Sequence, residues 1–247
     1  MSELYASAPI KIRGDLAAAH TRAWERLGRA GTWWDGAQRV AIAAETHHAP
    51  SCALCRRRKD ALSPAAIEGE HDSLGALPES VIEVVHRVRN NPGRLSERWF
   101  RDLIGAGFSE EQYVETVSIV AHVVAIDTMA RGLGLNALPL PEPKPGLSSH
   151  YRPVGAKPGG AWVAWLEPTD LGEAEAGLYP AAGVPVANIR KAMSLVPDEV
   201  RSFFDLVSQQ YQGPLEMRDI TREYRAISHA QIELLAARVS ALNQCLY

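Results

Sequence analysis

The segment SEEQYVETVSIVAHVVAIDTMARGLG, residues 109–134, decides the fold. Ser109 and Gln112 stand as a capping box: the serine hydroxyl takes an orphan amide of the first turn, and the glutamine side chain reaches back to the serine N–H. A long apolar helix then runs from Tyr113 to Leu133, and Gly134 supplies its stop. Its most apolar run, Val117 to Ile126, is interrupted by His122 and is far shorter than a bilayer requires. Outward from this segment, alanine, leucine and β-branched residues recur mostly at helical spacing, which predicts an all-α chain.

Toward the N-terminus, Asp15–Leu27 places Leu16, Ala19, Ala23 and Leu27 on one face, closed by Gly28 and Gly31. Asp35 caps a second predicted helix through Val40, Ile42 and Ala44. Pro50-Ser51 stops it, and Ser51 is expected to cap a third helix carrying Cys52, Cys55 and Leu62. Pro78 to Asn90 reads as another helix, ended by Asn91-Pro92-Gly93. Between Pro139 and Pro185 the chain has nine prolines and seven glycines in 47 residues, so no helix is expected there. Trp162 and Trp165 within it suggest that this stretch packs on something. Helices then resume over Ala187–Leu195 and Asp198–Tyr211, and Ser228 with Gln231 caps one running to Asn243. The expected organisation is a helical domain over 1–138, a Pro/Gly-rich linker or wrapping arm over 139–186, and a partial second repeat over 187–247.

That repeat rests on one offset. Residues Ala37 to Ala44 align with Ala230 to Ala237, 193 positions later, and in the same register Cys52 falls on Cys245.

Composition narrows the function classes. A formal net charge of −3 and a pI near 6.2 give no electrostatic case for nucleic acid. Residues Met1 to Asp15 mix charge and glycine without an apolar run, so no secretory leader and no membrane partner are expected. Three cysteines, two of them as Cys52-Ala-Leu-Cys55, do not make a secreted disulfide framework. In a reducing, cytoplasmic setting that spacing points to redox or metal chemistry.

The C-terminal segment, with Glu233, eleven residues, and Cys245 in Ser240-Ala-Leu-Asn-Gln-Cys245-Leu-Tyr247, resembles the alkylhydroperoxidase D / carboxymuconolactone decarboxylase family. There a relay glutamate precedes a Cys-x-x-Cys-x-x-x-His. Glu233 and Cys245 match the relay acid and the resolving cysteine; the peroxidatic residue would be the next after Tyr247. The chain is also similar to alkylhydroperoxidase-related proteins in which that position can be selenocysteine. The residues concerned are Ser51–Cys55, the Pro78–Gly93 helix, Ala125-Ile-Asp-Thr128, Arg131-Gly-Leu-Gly134 and the terminus. The resemblance implies a helical bundle with a second repeat incomplete at the C-terminus, a UGA codon after Tyr247 that is read as selenocysteine or was mis-called as termination, and a homo-oligomer.

It also implies roles at the first CxxC. Cys55 would attack a hydroperoxide and Cys52 would resolve it to a disulfide, reopened by a dithiol reductant protein. Independently of any family, positions i and i+3 of a helix share a face, and a helix N-terminus favours the thiolate. The run Arg56-Arg-Arg-Lys59 is expected to lower the thiols further or to pair with Glu68, Glu70 and Asp72. Lys59 and Val40 stand where the family has His and Glu. Candidates to replace them are Glu45, His47, His48 and His122, the alternatives being an exposed helix-end carboxylate for Glu45 and a core histidine bonded to a carbonyl for His122. His47 and His48 with the two cysteines offer a zinc alternative. Trp33-Trp34 reads as core or oligomer interface.

The expected activity is thus a thiol- or selenol-dependent antioxidant peroxidase, requiring no bound cofactor or metal. Its rivals are decarboxylase-type acid/base chemistry and a non-enzymatic metal-binding helical scaffold.

Overall fold

A computed structural model describes residues 4–181, 184–213 and 215–243. Among them the regular structure is nine α-helices with short 3-10 turns and no strand; an isolated antiparallel bridge joins Lys157 and Trp165. The all-α expectation holds. The helices are α1 (Gly14–Leu27), α2 (Gly36–His48), α3 (Ala53–Asp60), α4 (Glu79–Asn90), α5 (Glu97–Gly105), α6 (Glu110–Gly132), α7 (Asn188–Ala192), α8 (Pro197–Gln210) and α9 (His229–Leu242).

Capping chemistry sets several boundaries. Asp35/Gln38, Ser109/Gln112 and Ser228/Gln231 each form a complete capping box at the starts of α2, α6 and α9. Gly134 ends the α6 segment in the left-handed region at φ 73°, which favours glycine. The third helix corrects the expectation: its N-cap is Cys52, because Ser51 lies in a 3-10 turn and turns its hydroxyl back to the His48 carbonyl. It ends at Asp60, and Leu62 beyond it is fully exposed. Helix α5, capped by Ser96 on the Trp99 amide, was not anticipated.

α6 is the hub. It packs against α2 and α4, which also pack on each other, while α8 covers α1. Its length and apolarity would suffice to cross a membrane, but here it is the central helix of a bundle, with Glu115 and His122 enclosed. The main apolar core joins Trp24 and Leu27 of α1, Ile42 of α2, Val85 of α4 and Ile119 and Val123 of α6 with Leu206 of α8. Trp34 lies in it, its indole donating to Thr116.

The 139–186 stretch lies across these helices. The Trp24 indole donates to the Pro139 carbonyl, and the Lys144 and His150 amides donate to Gly28 and Thr32. Trp162 packs beside Phe100, and Trp165 is buried, its ring so close that a Cβ on Gly159 would overlap it.

Candidate functional site

The chain between α2 and α4 folds back so that three segments meet at two sulfurs. The α2 helix ends at His48, the 3-10 turn 49–51 follows, and Cys52 opens α3. Cys55 is one turn into α3, both thiols are free, and both are buried. Leu54 and Ile67 give this pair its own small apolar cluster. The irregular segment 67–78 then passes over the sulfurs, and α4 returns beside them.

Two imidazoles face the pair. His71 Nδ1 lies 3.5 Å from Cys52 Sγ and 3.5 Å from Cys55 Sγ, and His86 Nδ1 lies 3.4 Å from Cys55 Sγ. Each ring is held from behind by a carboxylate. His71 Nε2 donates to Glu83 at 2.7 Å, and His86 Nε2 donates to Glu45 at 2.8 Å. These outer bonds place a proton on each Nε2 and turn each Nδ1 toward sulfur. Glu83 also accepts from Arg58 and from the Trp99 indole, and Glu45 accepts the Leu74 amide at 3.0 Å. The Asp72 carboxylate takes the Ala53 amide, an orphan donor of the first turn of α3.

The electrostatics follow from these contacts. Burial opposes a Cys52 thiolate, yet the Cys55 amide, the His71 imidazole and the Asp72 amide together bring that thiol below its ordinary value. For His71, burial disfavours the cation, but its bonds to Cys55, Glu83 and Cys52 outweigh it and raise the imidazole to about 10. Glu83 is opposed by burial and drawn down to about 2 by His71 and Arg58. Burial lowers His86, with Glu45 resisting. The pair therefore sits beside one protonated and one neutral imidazole.

The sequence-derived candidates fall into two groups. Cys52, Cys55 and Glu45 meet here, and Glu45 is fully enclosed rather than an exposed helix-end carboxylate. The others do not join them. His48 is half-buried and its Nδ1 meets the Ser51 hydroxyl, while His47 pairs with Asp127 and stacks on Trp24. His122 bonds the Ser118 carbonyl at 2.7 Å and Ser202 at 3.1 Å, and burial keeps it neutral. Glu233 lies on exposed α9, bound to the Tyr211 hydroxyl. Cys245 lies outside the described residues.

The basic run acts on the site through the Arg58–Glu83 pair rather than directly on the thiols. Arg56 and Arg58 turn to the carbonyls of Ser51 and Ile67, and Arg58 pairs with Glu83 rather than with Glu68, Glu70 or Asp72.

His71 and His86 were missed from sequence. His86 falls on the apolar face of α4, in phase with Ile82 and Val85, where a histidine should be apolar or engaged. That phase, with Glu83 three residues before it on the same face, was the one available signal. His71 lies in Glu70-His-Asp72, a polar stretch with no periodicity to read.

Compared with protein-family models, curated proteins and solved structures, the chain matches none.

Proposed function

We propose that this chain is a thiol-dependent oxidoreductase that reduces hydroperoxides through Cys55 and Cys52. One observation carries the reading: a CxxC pair whose sulfurs share the edge of one imidazole, with a second imidazole on Cys55 backed by a buried glutamate.

Cys55 retains a sliver of exposed surface, 7%, whereas Cys52 has none. Access therefore assigns the attack on peroxide to Cys55, although Cys52 is the thiol drawn down by its partners. The Cys55 thiolate bonds to one peroxide oxygen as the O–O bond breaks, and the departing alkoxide takes a proton from His71. The resulting sulfenic acid meets the Cys52 thiolate; an S–S bond forms, and hydroxide leaves as water with a second proton. Two thiolates, one hydroperoxide and two protons become a disulfide, an alcohol and water. An external dithiol protein then returns two electrons. The Glu45–His86 pair fixes the imidazole that faces Cys55, the positioning role found in nucleophile–base–carboxylate arrangements.

The resemblance to alkylhydroperoxidase D proteins agrees with this chemistry, with Glu45 and His86 taking the places of the missing relay. Decay of cumene hydroperoxide with a dithiol reductant tests it. Cys55→Ser should abolish turnover, and Cys52→Ser should stop after a single sulfenic acid that a dimedone probe captures. Turnover that survives Cys55→Ser sinks the proposal and favours acid/base chemistry.

A further inference from the structure

We propose that Cys52, Cys55, His71 and His86 together form a tetrahedral binding site for one zinc ion. Their donor atoms all lie within 4.8 Å of one another. The three S···N contacts are 3.5, 3.5 and 3.4 Å. A zinc ion about 2.3 Å from sulfur and about 2.0–2.1 Å from nitrogen, with tetrahedral angles, sets neighbouring sulfur and nitrogen about 3.5 Å apart. The observed edges are those of such a tetrahedron.

The hydrogen-bond inventory points the same way. His71 Nδ1 has a single site on its inner edge, and two sulfurs converge on it at equal distance. One hydrogen bond satisfies only one of them. A cation at the centre uses a lone pair from each of the four groups. The outer shell is the arrangement that orients metal-bound histidines, with each Nε2–H on a carboxylate. Sulfur and imidazole donors in equal number select zinc over the hard, oxygen-seeking cations. Two thiolates neutralise the ion, so no charge is left for the bundle to solvate.

Four protein ligands leave no open position, which makes the ion a staple rather than a hydrolytic centre. The local fold gives such a staple a role. The segment joining α3 to α4 has modest apolar anchorage, with Ile67 beside the cysteines, Leu77 on the main core and Leu62 fully exposed. Zinc would tie α3, this segment and α4 at a single point.

The site does not depend on peroxidase activity, but the two meet in one consequence that rests on the redox reading. Forming the Cys52–Cys55 disulfide removes both sulfur ligands, so oxidation expels the ion.

The test uses the full chain, purified reduced and without chelator. Elemental analysis should find one zinc per chain, and cobalt(II) in its place should show tetrahedral d–d bands with a thiolate-to-cobalt charge-transfer band. In competition with a chromophoric chelator, Glu83→Gln should weaken zinc binding about 10- to 100-fold. Cys52→Ser and His86→Ala should weaken it further, and His71→Cys should keep the metal while shifting the cobalt spectrum. Failure of reduced wild-type protein to take up added zinc overturns the proposal, as does a cobalt spectrum lacking the charge-transfer band, and both hold whether or not a variant folds. Thiols that stay inert to peroxide once zinc is stripped defeat the redox reading alone. Peroxide turnover without zinc uptake defeats the metal site alone.

Discussion

Glu45 has no exposed surface, and both of its oxygens are engaged, Oε1 by His86 and Oε2 by the Leu74 amide. Both partners are donors, so a carboxylate suits the position and an amide does not. Glu45→Gln must present its NH2 group to one of them. The expected result is a loss of stability of about 1–3 kcal/mol from the orphaned donor and a fall in peroxide turnover of about 100-fold. Urea titration and peroxide decay on the same preparation measure both, and unchanged turnover would remove Glu45 from the site. At this scale the sequence was half legible. Cys52, Cys55 and Glu45 lie within ten residues of one another, close enough for spacing to relate them. His71 and His86 come 16 and 31 residues after Cys55, across an irregular segment whose path no local pattern encodes. His122 resolves the other way, as a core histidine bonded to a carbonyl.

Among the helices, caps and phases were legible and buried charge was not. The starts of α2, α6 and α9 follow directly from their capping boxes, and α2 and α9 begin in the same register of the 193-residue offset. Nothing in the apolar pattern revealed that Arg39 of α2 is enclosed between Glu115 of α6 and Glu199 of α8, with Arg26 of α1 on Glu199 at 2.6 Å. Burial and the neighbouring Glu199 charge push Glu115 up to about 7, whereas Arg26 and Arg39 outweigh burial at Glu199 and hold it low. Arg39→Met removes the shared cation and should destabilise the protein by about 3–5 kcal/mol, read as a lower urea midpoint. An unchanged midpoint would mean that the four helices are not joined through this group. The α1–α8 junction gives a pH prediction. His20 is enclosed, its Nδ1 on the Tyr5 hydroxyl and its Nε2 on Gln210, one donor and one acceptor as the neutral ring requires. Burial lowers it from 6.5 to about 4. Between those values the unfolded chain binds the proton and the fold does not, so its contribution is complete above pH 6.5 and is lost as pH falls toward 4. Wild type should lose roughly 2–3 kcal/mol more than His20→Gln between pH 7 and 4.5. Parallel losses in the two proteins would assign the acid sensitivity elsewhere.

Over the whole molecule, the segment that composition marks as unable to form helix lies across the others, and part of that tie runs from backbone to backbone. The Lys144 amide donates to the Gly28 carbonyl at 2.6 Å, just past the end of α1. Gly36, at the start of α2, lies under that bond: a Cβ there would stand 2.6 Å from the Gly28 oxygen and 2.7 Å from the Lys144 oxygen. Neither atom is the end of a flexible side chain, so Gly36→Ala must lift the 139–150 strap or part α1 from α2. The expected cost is about 1–3 kcal/mol. Its distinguishing mark is local, with faster proteolysis near residues 139–150 while Cys52 and Cys55, beyond the far end of α2, keep their wild-type reactivity. Gly14→Ala meets nothing within 4 Å and serves as the control. A Gly36→Ala protein that melts with wild type, its strap equally protected, would show that the bundle holds together without this contact.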